Sequence, residues 1–184
     1  MPKCGQDWRK VMPKTLADGH ILGTWIPESE ATGMDIKALT VADLAKGIKA
    51  SCRIMKSDYA AGPTGSSTID EVELCKVGQG QEWGMSAYAV SLTVFRYLDA
   101  DGKADATADA VFAALGEKGK GGIWVEREGP AEYVAWAEGQ EYSAFQCTTD
   151  DPQPPSDRTS GYIKRTIPMS VSNAALNKLV VAGN

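Results

Sequence analysis

Alternation of apolar and polar positions organises most of this chain. Tyr88, Val90, Leu92 and Val94 fall on one side of an extended segment, with Ala87, Ala89, Ser91 and Thr93 on the other. That period of two is the pattern of a strand with one buried face. It shifts at Phe95-Arg96-Tyr97, as at a bulge or a change of packing partner. Ile48, Ala50, Cys52 and Ile54 alternate in the same way with Lys49, Ser51 and Arg53. Shorter strand patterns cover His20 to Pro27, Thr68 to Cys75, Gly122 to Glu128, Gln140 to Thr149 and Tyr162 to Val171. The count is about seven, each bounded by Gly, Pro, Asp or Ser turn signals.

Helical signals are fewer. Thr40-Val41-Ala42-Asp43 has the form of a capping box, which predicts a short helix to Lys46 with Gly47 stopping it. Asp105 or Thr107 can cap a second helix with Val111, Phe112 and Leu115 on its apolar face, closed by Gly116. Ser57 to Ser67 and Gly78 to Gly84 read as loops, and Asp99-Ala100-Asp101-Gly102 as a turn. The expected organisation is an arm over 1–18, a β domain over 19–172 and a tail over 173–184. The expected fold is mainly β, an antiparallel sandwich or barrel with one flanking helix.

Composition narrows the class. At 184 residues, 43% apolar and 23% charged, the chain suits one globular domain rather than a disordered one. No apolar run approaches a membrane span, so no membrane insertion is expected, and the first residues lack a signal-peptide core. A net charge of −5 argues against a protein that grips nucleic acid. Cys4, Cys52, Cys75 and Cys147 are widely spaced and read as free thiols.

Candidate chemistry is thin. His20 is the only histidine, which rules out multi-histidine sites. Asp99-Ala100-Asp101-Gly102 matches the start of a calcium loop, but Ala110 stands where the terminal glutamate belongs. Gly116 to Gly122 lacks phosphate-loop spacing. The five tryptophans suit core packing or a subunit interface. No catalytic residue, cofactor or metal site is expected.

The most informative run is Asp150 to Val171: a Pro- and Asp-rich loop, Asp150-Asp151-Pro152-Gln153-Pro154-Pro155-Ser156-Asp157-Arg158, released by Gly161 into the strand Tyr162 to Val171. Together with the strand Glu141 to Asp150 and the segment Asp70 to Tyr97, it resembles the major tail tube proteins of long-tailed phages, particularly those of actinobacterial hosts. The resemblance spans roughly residues 15–175 and implies a β-sandwich subunit that forms a hexameric ring. Inner sheets then join into a β-barrel channel, and rings stack into a tube. The implied location is the virion tail, after assembly in the host cytoplasm. Implied partners are further copies of the chain, the tape measure protein, tail terminator and distal tail proteins, and double-stranded DNA passing without adhesion. For that role Asp70, Glu71, Glu73, Ser91 and Thr93 are candidate lumen positions, since acidic or small polar side chains do not hold phosphate. Ser57, Asp58, Tyr59, Pro63 and Thr64, with the N-terminal arm, are candidates for ring stacking. Pro152, Pro154, Pro155 and Arg158 are candidates for an inter-subunit brace, or for a cover on a sheet edge. A tail terminator, a capsid decoration subunit and a small-molecule-binding β-barrel are the competing expectations.

Overall fold

A computed structural model describes residues 16–69, 75 and 82–183. Seven strands form one antiparallel sheet: β1 (Ile21–Pro27), β2 (Ile48–Lys49), β3 (Ala60–Ile69), β4 (Glu82–Phe95), β5 (Gly121–Glu128), β6 (Glu141–Thr149) and β7 (Lys164–Leu179). Their order is β2-β1-β5-β6-β7-β4-β3. The sheet curls without closing. Beyond β2 the chain crosses to the far side, where Ile54 bridges Val94 of β4 and the Met55 N–H donates to the Thr93 carbonyl at 2.8 Å.

Both faces of the central strands are buried. One carries Leu22, Ile26, Ile123, Val125, Tyr142 and Ala144 beneath Ile36, Leu39 and Leu44. These last three belong to the segment holding α1 (Glu28–Ala31) and α2 (Val41–Ala45). The inside of the curl carries Trp25, Trp124, Phe145, Val90, Leu92 and Ile167 against Val111 and Leu115 of α3 (Ala110–Leu115). Two-sided burial explains why Gly122-Ile123-Trp124-Val125 is continuously apolar rather than alternating.

Two tryptophans meet across β1 and β5, with Trp25 directly opposite Trp124. Each lies over a glycine of the neighbouring strand: a Cβ on Gly23 would stand 2.4 Å from the Trp124 ring, and one on Gly122 2.5 Å from the Trp25 ring. Only glycine leaves room for these indoles.

Local capping follows the sequence closely at α2. The Asp43 N–H donates to Thr40 Oγ1 at 3.1 Å, and the Thr40 N–H donates to Asp43 Oδ2 at 3.0 Å. The helix is docked by Tyr142, whose hydroxyl accepts from the Leu39 N–H and donates to the Ile36 carbonyl, both at 3.0 Å. At α3 the cap differs. Asp105 accepts from the Thr107 and Ala108 N–H groups in the preceding turn. Asp109, at the helix start, instead pairs with Arg96 at 3.0 Å, whose guanidinium lies 3.8 Å above the Phe112 ring.

Several expected boundaries are corrected. The alternating run after Ile48 is a strand only over Ile48–Lys49, because Ser51 Oγ accepts from the Gly23 N–H at 2.7 Å and the chain tightens into a 3-10 turn over Ser51–Arg53. Cys52 is exposed there while Ala50 is buried. The Ser57 to Ser67 loop is a 3-10 turn over Lys56–Asp58 followed by β3, since β4 supplies a partner for its backbone. The expected strand Thr68 to Cys75 therefore begins eight residues earlier, at Ala60, and residues 70–74 lie outside the described segments. The expected C-terminal tail continues β7 to Leu179 along β6, with a left-handed backbone at Asn177 (φ 52°). The two expected helices are present as α2 and α3, and a further one-turn helix, α1, follows β1 among the described residues.

Candidate assembly surface

The β3–β4 hairpin is the most exposed pair of strands in the sheet. β3 is an edge strand of ten residues, paired on one side by β4. A long edge is a template for a further strand unless charge, proline or a bulge blunts it. Here Pro63 lacks an N–H, and the register shifts between Pro63 and Gly65 and again between Ser66 and Thr68. At the far end of the hairpin Trp83 and Met85 are 79% and 85% exposed, and Ile69, opposite Glu82, is exposed on the other face from Trp83. Large apolar side chains so fully in water mark an interaction surface.

The outer face of the hairpin and its neighbours has a second character. Cross-strand pairing aligns Gly62 with Ala89, Ala89 with Ser170, and Ser170 with Thr148. One step along, Ala60, Ser91 and Pro168 are aligned. Directly opposed residues share a face, so these form a continuous patch of small, uncharged side chains over β3, β4, β7 and β6.

The expected lumen residues divide. Ser91 belongs to this patch and is half-buried. Thr93 is 1% exposed, its hydroxyl 2.8 Å from Thr166 Oγ1 and 3.3 Å from Asp58 Oδ2, so it cannot face a channel. Asp70, Glu71 and Glu73 lie outside the described residues, as do residues 1–15 of the arm.

The stacking candidates divide too. Pro63 and Thr64 are exposed on β3, and Ser57 lies in the 3-10 turn, donating to Asp58. Tyr59 is not a free contact residue. Its hydroxyl donates to Glu126 and accepts from Trp124 Nε1 at 3.2 Å. Burial pushes the Glu126 carboxyl above the usual range, with Glu128 adding to the shift and the Tyr59 bond opposing it.

In the Pro-rich loop, Gln153 pairs with Thr166 through both backbone bonds, 2.7 and 2.8 Å. The loop thus continues the β6 side of β7 and covers that edge within the chain. Pro152 and Pro155 are half-buried, whereas Pro154 and Arg158 are exposed. Asp157 accepts from the Ser160 and Thr159 hydroxyls and the Thr159 N–H, and these bonds hold its carboxyl at about 2.

Two features had escaped the sequence. Arg127 is fully buried, donating to the carbonyls of Ala131, Val134 and Ala135 and to Gln140 Oε1, with Trp136 5.0 Å from its guanidinium. Burial lowers its pKa. The clamp fixes the loop that carries exposed Tyr133. An arginine flanked by two glutamates on a strand reads as surface, so only the apolar neighbours Trp124 and Val125 hint at burial. Trp83, the one exposed tryptophan among the described residues, stands between Glu82 and Gly84, in a stretch whose polar and glycine residues read as a loop rather than as the start of β4.

His20 Nδ1 lies 2.5 Å from the Gly129 carbonyl, a structural contact. Cys52, Cys75 and Cys147 are free thiols, and burial pushes Cys147 up to about 12. Among the described residues no helix is long and apolar enough to cross a membrane.

A family model described as "Phage tail tube protein" matches residues 10–184. The chain is also similar in fold to a chain of the SPP1 tail tube, from a hybrid solid-state NMR and cryo-EM structure. The TM-score is 0.55 at 14% identity, covering 90% of this chain and 81% of that one. A chain of the anti-feeding prophage baseplate, a six-fold symmetrised cryo-EM structure, is similar with a TM-score of 0.51 at 9% identity, covering 89% and 96%. At these identities the likeness is one of fold. No curated protein sequence matches the chain.

Proposed function

This chain belongs to the phage tail tube protein family and is a structural tail tube subunit, and from that premise we propose that it assembles through the β3–β4 hairpin into stacked hexameric rings. The observation that carries the proposal is the hairpin itself: a ten-residue edge strand, blunted only by Pro63 and two register shifts, beside exposed Trp83 and Met85 of β4. An edge strand is relieved when a neighbouring sheet continues it, and a closed ring leaves no edge over. The apolar tip supplies anchors of the kind that dominate interfaces.

In this arrangement the small, uncharged patch containing Ser91, Ala89 and Ser170 faces the conduit. Such a wall offers no cation to phosphate, which suits DNA passing at speed around or after a tape measure protein. Pro63 and Thr64 lie on the edge that meets the next subunit. Exposed Pro154 and Arg158 brace a neighbour, while Gln153 holds the loop to its own β7. Tail terminator and distal tail proteins cap the tube, and the role needs no catalysis and no cofactor.

Negative-stain microscopy of the purified protein at high concentration tests this. Rings and long hollow tubes are expected from the native chain. The Trp83→Ser, Met85→Ser double variant should keep the native circular dichroism and lose the tubes. A monomer at every concentration would overturn the proposal, and assembly that halts at one ring would point to a terminator.

A further inference from the structure

The curled sheet has an open side, and a hydrogen-bonded trio stands in it. Tyr59 immediately precedes β3, at one end of the strand order, whereas Trp124 and Glu126 lie on β5 near the other. Tyr59 donates to Glu126 and accepts from Trp124, and its ring lies 6.2 Å from the indole. The contact therefore closes across the curl rather than along the sheet. Tyr59 and Trp124 line a cleft of about 280 Å³ together with Ile21, Gly23 and Ile54. Glu126 lines a second cleft, of about 330 Å³, with Ala61, Gly62 and Pro63 of β3. The trio thus contributes to the lining of both clefts.

The charged groups around the trio are unbalanced. Glu128 on β5 and Glu141 on β6 line the same cleft as Glu126. Facing them, β3 contributes only Ala61, Gly62 and Pro63, and β7 the neutral Leu176 and Asn177. On the Tyr59 side stand Cys52, Lys56 and Glu132, with Lys56 paired to Asp18. Among the described residues, no cation pairs with Glu126.

We propose that the trio is a proton-operated latch: protonated Glu126 keeps Tyr59 and the base of the hairpin against β5, and ionised Glu126 lets that base lift. Burial raises the Glu126 carboxyl above its ordinary value of 4.5; the Tyr59 bond works against this and Glu128 adds to it, and the net direction is upward. A raised acid favours the closed form below the ordinary glutamate value, and this advantage is lost as pH rises through the raised value. Protonation removes one of three carboxylate charges from the cleft while the Tyr59 hydroxyl can still donate to the carbonyl oxygen. The device goes beyond tube assembly and operates in the free subunit.

Hydrogen exchange on the full-length chain, kept dilute and corrected for intrinsic exchange, tests it between about pH 4 and about pH 8. Protection of the Ala60, Ala61 and Gly62 amides, relative to β6, should fall as pH rises. Glu126→Gln should keep protection high and flat across the range. Glu128→Gln should move the loss to lower pH, and Tyr59→Phe should reduce protection at every pH. Flat protection in the native chain overturns the latch, as does a Glu126→Gln variant with the native pH dependence.

Discussion

Arg127 shows how a single side chain can hold a loop. Its guanidinium has no carboxylate partner among the described residues; its two terminal nitrogens donate to three carbonyls and a glutamine amide, while Nε has no partner among the described residues. Burying an arginine is unfavourable unless its donors are met, and here the loop over 129–139 and Gln140 meet those of the terminal nitrogens. Arg127→Met keeps the aliphatic length and orphans those acceptors. We expect a loss of about 2–4 kcal/mol in urea denaturation. Residue-scale features were unevenly legible. The Thr40–Asp43 capping box was visible because it is closed within four positions. The Arg127 clamp was not, because its partners are fixed only when the loop folds back.

Elements were legible where one face alone is buried. The β4 pattern of Tyr88, Val90, Leu92 and Val94 located that strand, and all four residues pack in the inner core, although β4 begins at Glu82, inside the expected Gly78 to Gly84 loop. β3 was missed because Ala, Gly, Pro, Thr and Ser carry no period, and its partner strand decides its conformation. The strand end after Lys49 was missed because the Ser51 hydroxyl captures a backbone donor of β1. The Pro-rich loop shows the opposite case, with local bonding strong enough to be read by titration. Asp157 lies at about 2, below its ordinary 3.8. The bonds around it are complete above the ordinary value and weaken as pH falls toward the lowered one. Carboxyl NMR should give a midpoint near that value, and Ser160→Ala together with Thr159→Ala should raise it toward the ordinary aspartate range.

For the whole molecule, the seven-stranded antiparallel sheet with a packed helix agrees with the mainly β expectation, and the family match agrees with the resemblance drawn from residues 70–97 and 141–171. The sidedness of the sheet was less legible. Alternation gives two faces but not which of them a neighbour covers, and Thr93 shared a face with Ser91 yet is buried by the turn at Lys56–Asp58. The uncharged outer patch makes a prediction at this scale. Ser170→Arg, at an exposed position, should leave the subunit folded and able to form tubes. Those tubes should retain double-stranded DNA at low salt and release it as salt rises, whereas native tubes should retain none.

The tryptophans give the subunit an internal optical standard. Trp25 and Trp124 are sealed in the curl, and Trp136 is buried under Arg127, so their emission should stay blue throughout. Trp83 stands almost wholly in water at the hairpin tip, and its emission should lie to the red. If the tip is covered when subunits join, red-edge intensity should decay in step with polymer growth while the blue component holds constant. In a Trp8→Phe background, which removes the tryptophan outside the described residues, Trp83→Phe should abolish that signal, so that assembly can be timed in a cuvette without any added label.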